Sequence, residues 1–304
     1  MKNLIPLMQR EWLQHRFAWA LLMLVPFALA VMLLSFGHIE MNTDFAARSG
    51  ADLAAMLGML SVTLSMGVLF LLVWVASLFV TSTLARRDHG DRSVEFWLSL
   101  PTGHAESLAA PLLVHLVLVP AAALLVGMIG GYAISLLVVS RYVGLGEWFA
   151  MPWGNLLAAT IALAGRVLAG LPLAVLWLSP LILLAVICNA LFKRWGLPVL
   201  AVGLGLGSVV MEFVFGQPLL GQALSRLGRA AGLSLAGASG QGVSVGEQTE
   251  IAQALQGLPA WAAQDLWAAV QQTASPAFLA ALVVSAALFA ALVWWRARGA
   301  GLAS

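Results

Sequence analysis

The length of the uncharged apolar stretches constrains this chain more than any other feature. Residues 57–84 contain no Asp, Glu, Lys, Arg or His over 28 positions, and residues 108–139 contain only His115 over 32 positions. A helix needs about 20 apolar residues to cross the hydrocarbon core of a bilayer. Helices are the expected form, because an open sheet edge in lipid leaves backbone groups without hydrogen-bond partners.

The composition excludes an ordinary soluble protein. Hydrophobic residues make up 62% of the 304 residues and charged residues only 9%, whereas globular chains average about 45–50% apolar and about 25% charged. The net charge of +2 is too small to indicate nucleic-acid binding. Cys188 is the only cysteine, which excludes an internal disulfide and a CxxC metal site. The sequence therefore predicts one all-α transmembrane domain over residues 1–304.

Six stretches meet or approach the length of a membrane span: 17–36, 57–84, 108–139, 167–192, 195–215 and 276–295. If the N-terminus is inside, ten of the fifteen Lys and Arg residues lie on the cytoplasmic side. Most of them are in short loops or tails, where the positive-inside rule applies. We therefore expect both termini to be cytoplasmic.

Residues 155–171 are apolar enough to span but carry Arg166. An arginine at the bilayer centre costs about 2.5–3.5 kcal/mol on insertion scales. We expect residues 154–166 to lie in the outer interface, with a turn near Pro172 before the next span. The alternative, that residues 155–171 cross the membrane, leaves a weaker bias of basic residues toward the inside.

Residues 1–16 form a candidate interfacial helix, an elbow before the first span. At 100° per residue the following apolar side chains share one arc: Met1, Leu4, Ile5, Met8 and Trp12. Arg10 and Glu11 lie elsewhere on the helix, as expected for an amphipathic helix on a membrane surface. The alternative is that this segment is only the charged flank that orients the first span.

The connection between the second and third spans is short and dense in charge, and it also contains apolar residues. Asp91 can cap a short helix with Glu95 in its first turn, and Pro101 ends it. Trp97 would lie on the apolar face of this helix. The region 86–101 is therefore either a lever for a cytoplasmic partner or a cap that folds back on the membrane.

The long segment 216–275 is rich in Gly, Gln, Ser and Ala. Ile251, Leu255 and Leu258 follow helical spacing, and Pro259 suits the first turn of a helix. We expect two or three short extracytoplasmic helices over the outer ends of the spans. Such helices form either a lid on an exit path or packing support for the bundle.

Several kinds of chemistry have no signature in the sequence. Lys occurs only at positions 2 and 193, and neither completes GxxxxGK[ST], so ATP-driven work needs another subunit. HExxH is absent. The GxSxG run Gly242-Val243-Ser244-Val245-Gly246 lies in the Gly- and Ser-rich segment 216–275, where the sequence predicts no strand before it, and a nucleophile elbow needs a strand-to-helix turn. We therefore expect no enzyme activity and no metal or cofactor in this chain.

Ionisable residues within spans are functional candidates, because burying them in lipid is costly. His115 and Glu212 are such residues, with Arg166 near an edge. His115 either packs in the core with its polar atoms satisfied by hydrogen bonds, or acts as a gate. Gly203 and Gly207 form GxxxG, which permits close helix approach and a dimer contact.

The run after the second span resembles the D-R-S-x-x-F-W-x-S-L-P segment of a known group, the membrane permease subunits of ABC-2 type exporters, which have the type V fold. Here it reads Asp91-Arg92-Ser93-Val94-Glu95-Phe96-Trp97-Leu98-Ser99-Leu100-Pro101, preceded by Arg87-Asp88. Gln9-Arg10-Glu11-Trp12 before the first span and six spans with both termini inside add to the resemblance. The segment 216–275 departs from it, because the family usually has a short re-entrant helix pair there.

The resemblance implies a permease of the bacterial inner membrane that works as a homodimer or pseudo-dimer. Two cytoplasmic ATPase subunits, which hold ATP and Mg, would dock on the 86–101 region and the elbow. The implied coupling residues are Arg86, Arg87, Asp88, Asp91, Arg92, Glu95, Phe96 and Trp97, and the implied elbow residues are Arg10, Glu11 and Trp12. A secondary carrier or channel and a structural assembly factor are the alternative functions.

Overall fold

A computed structural model describes residues 4–37, 50–84, 103–240 and 251–301, and every regular element in these ranges is helical. The elements are α1 (Leu4–Phe36), α2 (Gly50–Ser82), α3 (His104–Leu113), a π-helical segment (Val114–Leu118), α4 (Val119–Tyr142), α5 (Leu145–Ala150), α6 (Trp153–Phe192), a 3-10 turn (Lys193–Trp195), α7 (Gly196–Phe215), α8 (Leu219–Leu235), α9 (Ile251–Gln272) and α10 (Pro276–Gly301).

Five helical segments of the described chain are long and apolar enough to cross a membrane. They are Leu4–Phe36, Gly50–Ser82, Ala105–Tyr142, Trp153–Phe215 and Pro276–Trp295. The fourth contains 63 residues, and it includes both α6 and α7, which correspond to two of the six predicted spans. The predicted α-helical membrane architecture is confirmed, and the count of six crossings stays a prediction.

The first predicted span and the residues before it form one helix. α1 continues through residues 16 and 17 and contains 33 residues, a length of about 50 Å at 1.5 Å per residue. Because the hydrocarbon core is only about 30 Å thick, part of α1 extends beyond it. The predicted elbow is therefore not a separate helix here, and its placement on a membrane surface stays a prediction.

The expected turn near Pro172 is wrong, because α6 runs from Trp153 to Phe192 as one helix of 40 residues with Pro172 and Pro180 inside it. The expectation rested on the cost of an unpaired arginine in lipid. In the structure Arg166 is buried and paired with Asp265. At about 60 Å, α6 is too long to lie wholly within the hydrocarbon core.

The segment 216–275 contains helices, α8 and α9, that pack on α6, and their position on the outer side of a membrane stays a prediction. Ile251 and Leu255 are buried, and Leu258 packs against the same cluster. Pro259 is not in a first turn, however, since it lies well inside α9. The apolar spacing therefore predicted the helix correctly, whereas the proline was a poor guide to where it begins.

Two glycines bring α4 directly against α2. A Cβ atom at Gly127 would lie 2.7 Å from the Cα atom of Met66, and one at Gly131 would lie 2.7 Å from the Cα atom of Val62. Small residues four apart allow such close backbone approach between membrane helices. This glycine pair lies at the interface of the two helices.

The predicted GxxxG motif of Gly203 and Gly207 does not lie at such an interface. A Cβ atom at Gly203 would meet nothing within 4 Å, and one at Gly207 would meet only the Leu220 side chain of α8. Gly196 is the only buried residue of α7. Within the described chain, this motif therefore makes no close backbone contact between helices.

One end of the bundle gathers the ends of four helices. Leu108 of α3, Val186 of α6 and Leu292 of α10 share a core cluster. Near the end of α2, the Ser82 carbonyl accepts a hydrogen bond of 3.0 Å from Asn189 Nδ2. We call this the connector end, because the 85–102 connection leaves and rejoins the bundle there.

At the opposite end, the end of α1 lies near the end of α4, and the start of α2 lies near α5. Arg141 donates hydrogen bonds to the carbonyls of Leu34, Ser35 and Gly37 at the end of α1. The Glu147 carboxylate lies where a Cβ atom at Gly50 would contact it at 3.2 Å. α1 ends at this end of the bundle, and α6 begins there.

Candidate functional site

The predicted coupling residues lie outside the described residues. They are Arg86, Arg87, Asp88, Asp91, Arg92, Glu95, Phe96 and Trp97. Of the other predicted site residues, Glu11 and His115 are buried and close together, whereas Trp12 is exposed. Glu212 is exposed near the end of α7.

A buried polar cluster near the connector end joins α1 to the π-helical segment. His115 Nε2 lies 3.5 Å from Glu11 Oε2, and the His15 and His115 rings meet edge to face with centroids 5.3 Å apart. Trp19 covers the His115 ring from the next turn of α1, at 5.7 Å between centroids. We call Glu11, His15 and His115 the histidine cluster.

His115 is completely enclosed, yet its ring nitrogens are not satisfied by the described residues. Its exposed fraction is 0%, and neither Nδ1 nor Nε2 has a hydrogen-bond partner there. The 3.5 Å separation from Glu11 is longer than a good N–H···O bond of about 2.9 Å. A buried polar group without a hydrogen bond lowers stability by about 1–3 kcal/mol. Such a group is retained where it has a function other than stabilising the fold.

His115 also lies in an irregular part of the third long helix. The backbone N–H of Val119 bonds to the Val114 carbonyl, five residues back, and Pro120 follows without an N–H of its own. Three consecutive side chains of this segment are buried, those of Val114, His115 and Leu116. Single π-helical turns inside α-helices frequently occur at functional sites.

A second buried polar cluster lies toward the opposite end and is fully bonded. Arg166 Nε donates to Asp265 Oδ2 at 2.9 Å, and Arg166 Nη2 lies 2.8 Å from the same oxygen. Arg166 also donates to the carbonyls of Ser234 and Leu233 at 2.6 and 3.1 Å. We call the pair Arg166 and Asp265 the clamp, because it holds α6, the end of α8 and α9 together.

Backbone groups complete the shell around the clamp carboxylate. The N–H groups of Gly237 and Ser239 donate to Asp265 at 2.9 and 2.7 Å. Burial alone would raise the pKa of the Asp265 carboxyl, but the Ser239 hydrogen bonds and the Arg166 guanidinium outweigh that effect and hold the pKa below its ordinary value. The carboxylate is therefore charged at neutral pH, and the clamp stabilises the fold.

Two openings border the long helices. An apolar cavity of about 340 Å³ lies between the π-helical segment, α6 and α10. Its one polar feature is a hydroxyl pair, Ser179 and Ser285, with oxygens 2.6 Å apart. A cavity of about 510 Å³ at the connector end is bordered by Lys193 and Arg194. The first opening offers an apolar binding surface, and the second is basic at its rim.

Sequence reasoning missed Asp265 and His15, although both leave a signal. Asp265 continues the apolar stripe of α9, seven residues after Leu258, and a carboxylate on such a stripe requires a buried cation. His15 is four residues after Glu11 and four before Trp19, so the three share one face of α1. That face packs against the bundle together with Met8, whereas Ile5 and Trp12 of the predicted apolar arc are exposed.

Comparison with known proteins adds no relative. No family model, no curated protein and no solved structure matches this chain. The resemblance to ABC-2 permeases therefore rests on the residues of the 87–101 run, on Gln9-Arg10-Glu11-Trp12 and on the arrangement of the spans.

Proposed function

We propose that this chain is the membrane-spanning permease subunit of an ATP-driven exporter. It forms the translocation path and is moved by separate cytoplasmic ATPase subunits, since its sequence contains no phosphate-binding loop. The observation that carries the proposal is the D-R-S-x-x-F-W-x-S-L-P run at 91–101, inside the connection between α2 and α3.

The geometry of the connector end supports this function. Leu84 and Leu108, which lie close to the two ends of the 85–102 connection, border one small cavity together with Leu292. The connection therefore leaves and returns at nearly the same place. A partner that holds it exerts force on α2 and α3 together, as a coupling element requires.

Charge at the connector end also supports a cytoplasmic orientation. Lys193 and Arg194 lie beside Ser82 and Asn189 around the larger cavity, and Arg86, Arg87 and Arg92 belong to the adjacent connection in the sequence. A bias of Lys and Arg in short loops favours the cytoplasmic side. The ATPases would dock at this end.

Copurification with an ATPase tests the proposal. The full chain, expressed with the neighbouring reading frames and extracted in detergent, is expected to bring down an ATPase that carries GxxxxGK[ST]. Trp97→Ala and Asp91→Lys should abolish this association and leave membrane insertion intact. Trp267→Ala removes an exposed tryptophan of α9 and serves as the matched control.

Two results would contradict the proposal. One is the absence of any copurifying nucleotide hydrolase, and the other is equal ATPase recovery from the wild type, Trp97→Ala and Trp267→Ala. Labelling of the 86–101 connection from outside the cell would reject the orientation. An assembly factor would bind an ATPase without any substrate-dependent turnover.

A second permease copy is part of the same proposal, and α7 is the surface that supports it. This helix has large apolar side chains exposed on several faces, and Gly203 has open space beside it. In a Cys188→Ser background, Gly203→Cys should form a disulfide-linked dimer in native membranes. Gly67→Cys, also at an open glycine, should form it poorly, and equal cross-linking would reject α7 as the dimer face.

A secondary carrier is the competing function, because the histidine cluster places ionisable groups in the bundle, where they often serve ion coupling. Transport in reconstituted vesicles separates the two functions. An exporter requires ATP and the partner ATPase and is insensitive to a protonophore. A proton-coupled carrier shows the opposite dependence.

A further inference from the structure

We infer that Glu11, His15 and His115 bind one divalent transition metal ion of the zinc type. Each of the three side chains offers one ligand atom, and these atoms all lie within 4.8 Å of one another. Two imidazole nitrogens and one carboxylate oxygen form a ligand set typical of zinc sites that keep an open position. The inference does not depend on the transport function, since it rests only on the positions of these three side chains between α1 and the π-helical segment.

The distances are those of a site that needs little rearrangement. Zinc bonds of about 2.0–2.1 Å in tetrahedral geometry place neighbouring ligand atoms about 3.3–3.4 Å apart. His115 Nε2 and Glu11 Oε2 are already 3.5 Å apart. The two remaining distances involve His15, which lies on the next turn of α1 and is half-buried, and neither exceeds 4.8 Å.

His115 supplies the second, independent observation. Its ring is fully buried, and both of its nitrogens lack a hydrogen-bond partner among the described residues. A neutral imidazole normally has one nitrogen that donates and one that accepts. A metal bond to Nε2 satisfies the accepting nitrogen and removes the part of the burial cost that this nitrogen carries.

Of the two Glu11 oxygens, Oε2 is the one that faces the proposed ion. Arg10 lies 3.7 Å from Glu11 Oε1, whereas Oε2 faces His115, so the two oxygens of one carboxylate have different neighbours. Trp19 and Met23 border the cluster on the side of the core. The half-buried His15 leaves a route for an ion, and the apolar wall on the other side excludes competing oxygen ligands.

Zinc binding by the tag-free full chain in lipid nanodiscs tests the inference. After removal of metal with a chelator, the wild type is expected to bind one Zn²⁺ per chain. Glu11→Gln, His15→Ala and His115→Ala should each weaken binding by more than the about 10- to 100-fold that loss of an outer-shell partner costs. Glu212→Gln makes the same chemical change at an exposed position and should bind like the wild type.

Cobalt distinguishes ligation from a structural role. Co²⁺ in the wild type should give the intense visible absorption of a tetrahedral site. His115→Cys replaces one ligand by another and should retain binding with a new sulfur-to-cobalt band in the near ultraviolet. A residue that only packs against Trp19 would not produce this band.

Three outcomes overturn the inference: no bound zinc in the wild type, binding that survives all three ligand substitutions, or a weak octahedral cobalt spectrum that His115→Cys leaves unchanged. If a substitution prevents folding, the wild type still gives a result. Bound Zn²⁺ should protect His15 from carbethoxylation, detected by mass spectrometry, and equal modification with and without zinc rejects the site.

Discussion

The histidine cluster and the clamp both bury ionisable groups between helices, but they differ in how those groups are bonded. At the clamp, Arg166 and Asp265 pair with each other and bond to five backbone groups of the described residues. In the cluster, His115 has no hydrogen bond to the described residues. A fully bonded buried pair stabilises a fold, whereas an incompletely bonded one is suited to binding something further.

The clamp therefore predicts the largest loss of stability. Arg166→Met should lower the free energy of unfolding by about 3–5 kcal/mol, since it leaves Asp265 as an uncompensated buried charge. Unfolding in mixed micelles, followed by tryptophan fluorescence, measures this loss. Arg226→Met removes an exposed arginine of α8 and should change little, and equal effects would mean that the clamp is not a special site.

The charge of Asp265 predicts a smaller loss that depends on pH. Asp265→Asn should cost about 1.5–3 kcal/mol near pH 7, the range for a hydrogen bond to a charged group, because the amide oxygen can still accept from Arg166 and only the charge of the acceptor is lost. Because the pKa of Asp265 is lowered on folding, its contribution is fully present above the ordinary pKa of 3.8 and is lost as pH falls through the lower folded value.

The difference between wild type and Asp265→Asn should thus stay constant from about pH 7 to pH 5 and shrink under stronger acid. The measurement is the free energy of unfolding at several pH values in one detergent. A difference that grows as the pH falls would show that the carboxyl is protonated in the fold and that the clamp is not an ion pair.

The histidine cluster predicts a weaker effect on stability. His115→Leu in the metal-free protein should cost less than about 1.5 kcal/mol, because the volumes are similar and no hydrogen bond to the described residues is lost. The same micelle titration measures it. A loss as large as that of Arg166→Met would remove the contrast between the two clusters.

The hydroxyl pair in the apolar cavity, which is an uncharged contact, predicts the smallest loss of stability. Ser179→Ala should cost about 0.6 kcal/mol, the average for hydrogen bonds between membrane helices, since Ser285 can still donate to the Ala281 carbonyl at 2.8 Å. The double variant Ser179→Ala, Ser285→Ala should cost little more than the single one if the two oxygens act as a pair.

The sequence predicted the long helices because apolar length is a local property. Residues 57–84 and 276–295 correspond closely to α2 and to the apolar part of α10. The spacing of Ile251, Leu255 and Leu258 also predicted the buried face of α9. Each of these signals lies within one element, so no knowledge of its neighbours was needed.

What could not be predicted depended on partners far along the chain. Arg166 looked too costly for a continuous helix, because Asp265, 99 residues later, compensates it only in three dimensions. Glu11 was assigned to a polar face for the same reason, since His115 lies on another helix. The sequence also could not show which GxxxG motif, the one at 203 or the one at 127, makes a close helix contact, because that depends on which helix lies opposite.

The glycine contacts between α2 and α4 restrict how this protein changes shape. At Gly127 and Gly131 the backbones lie against each other, with no glycine side chain to separate them there, and packed interfaces do not deform continuously. The two helices therefore turn together as a single rigid piece. Any opening of the bundle has to occur around that piece, where the remaining helices meet it through side chains.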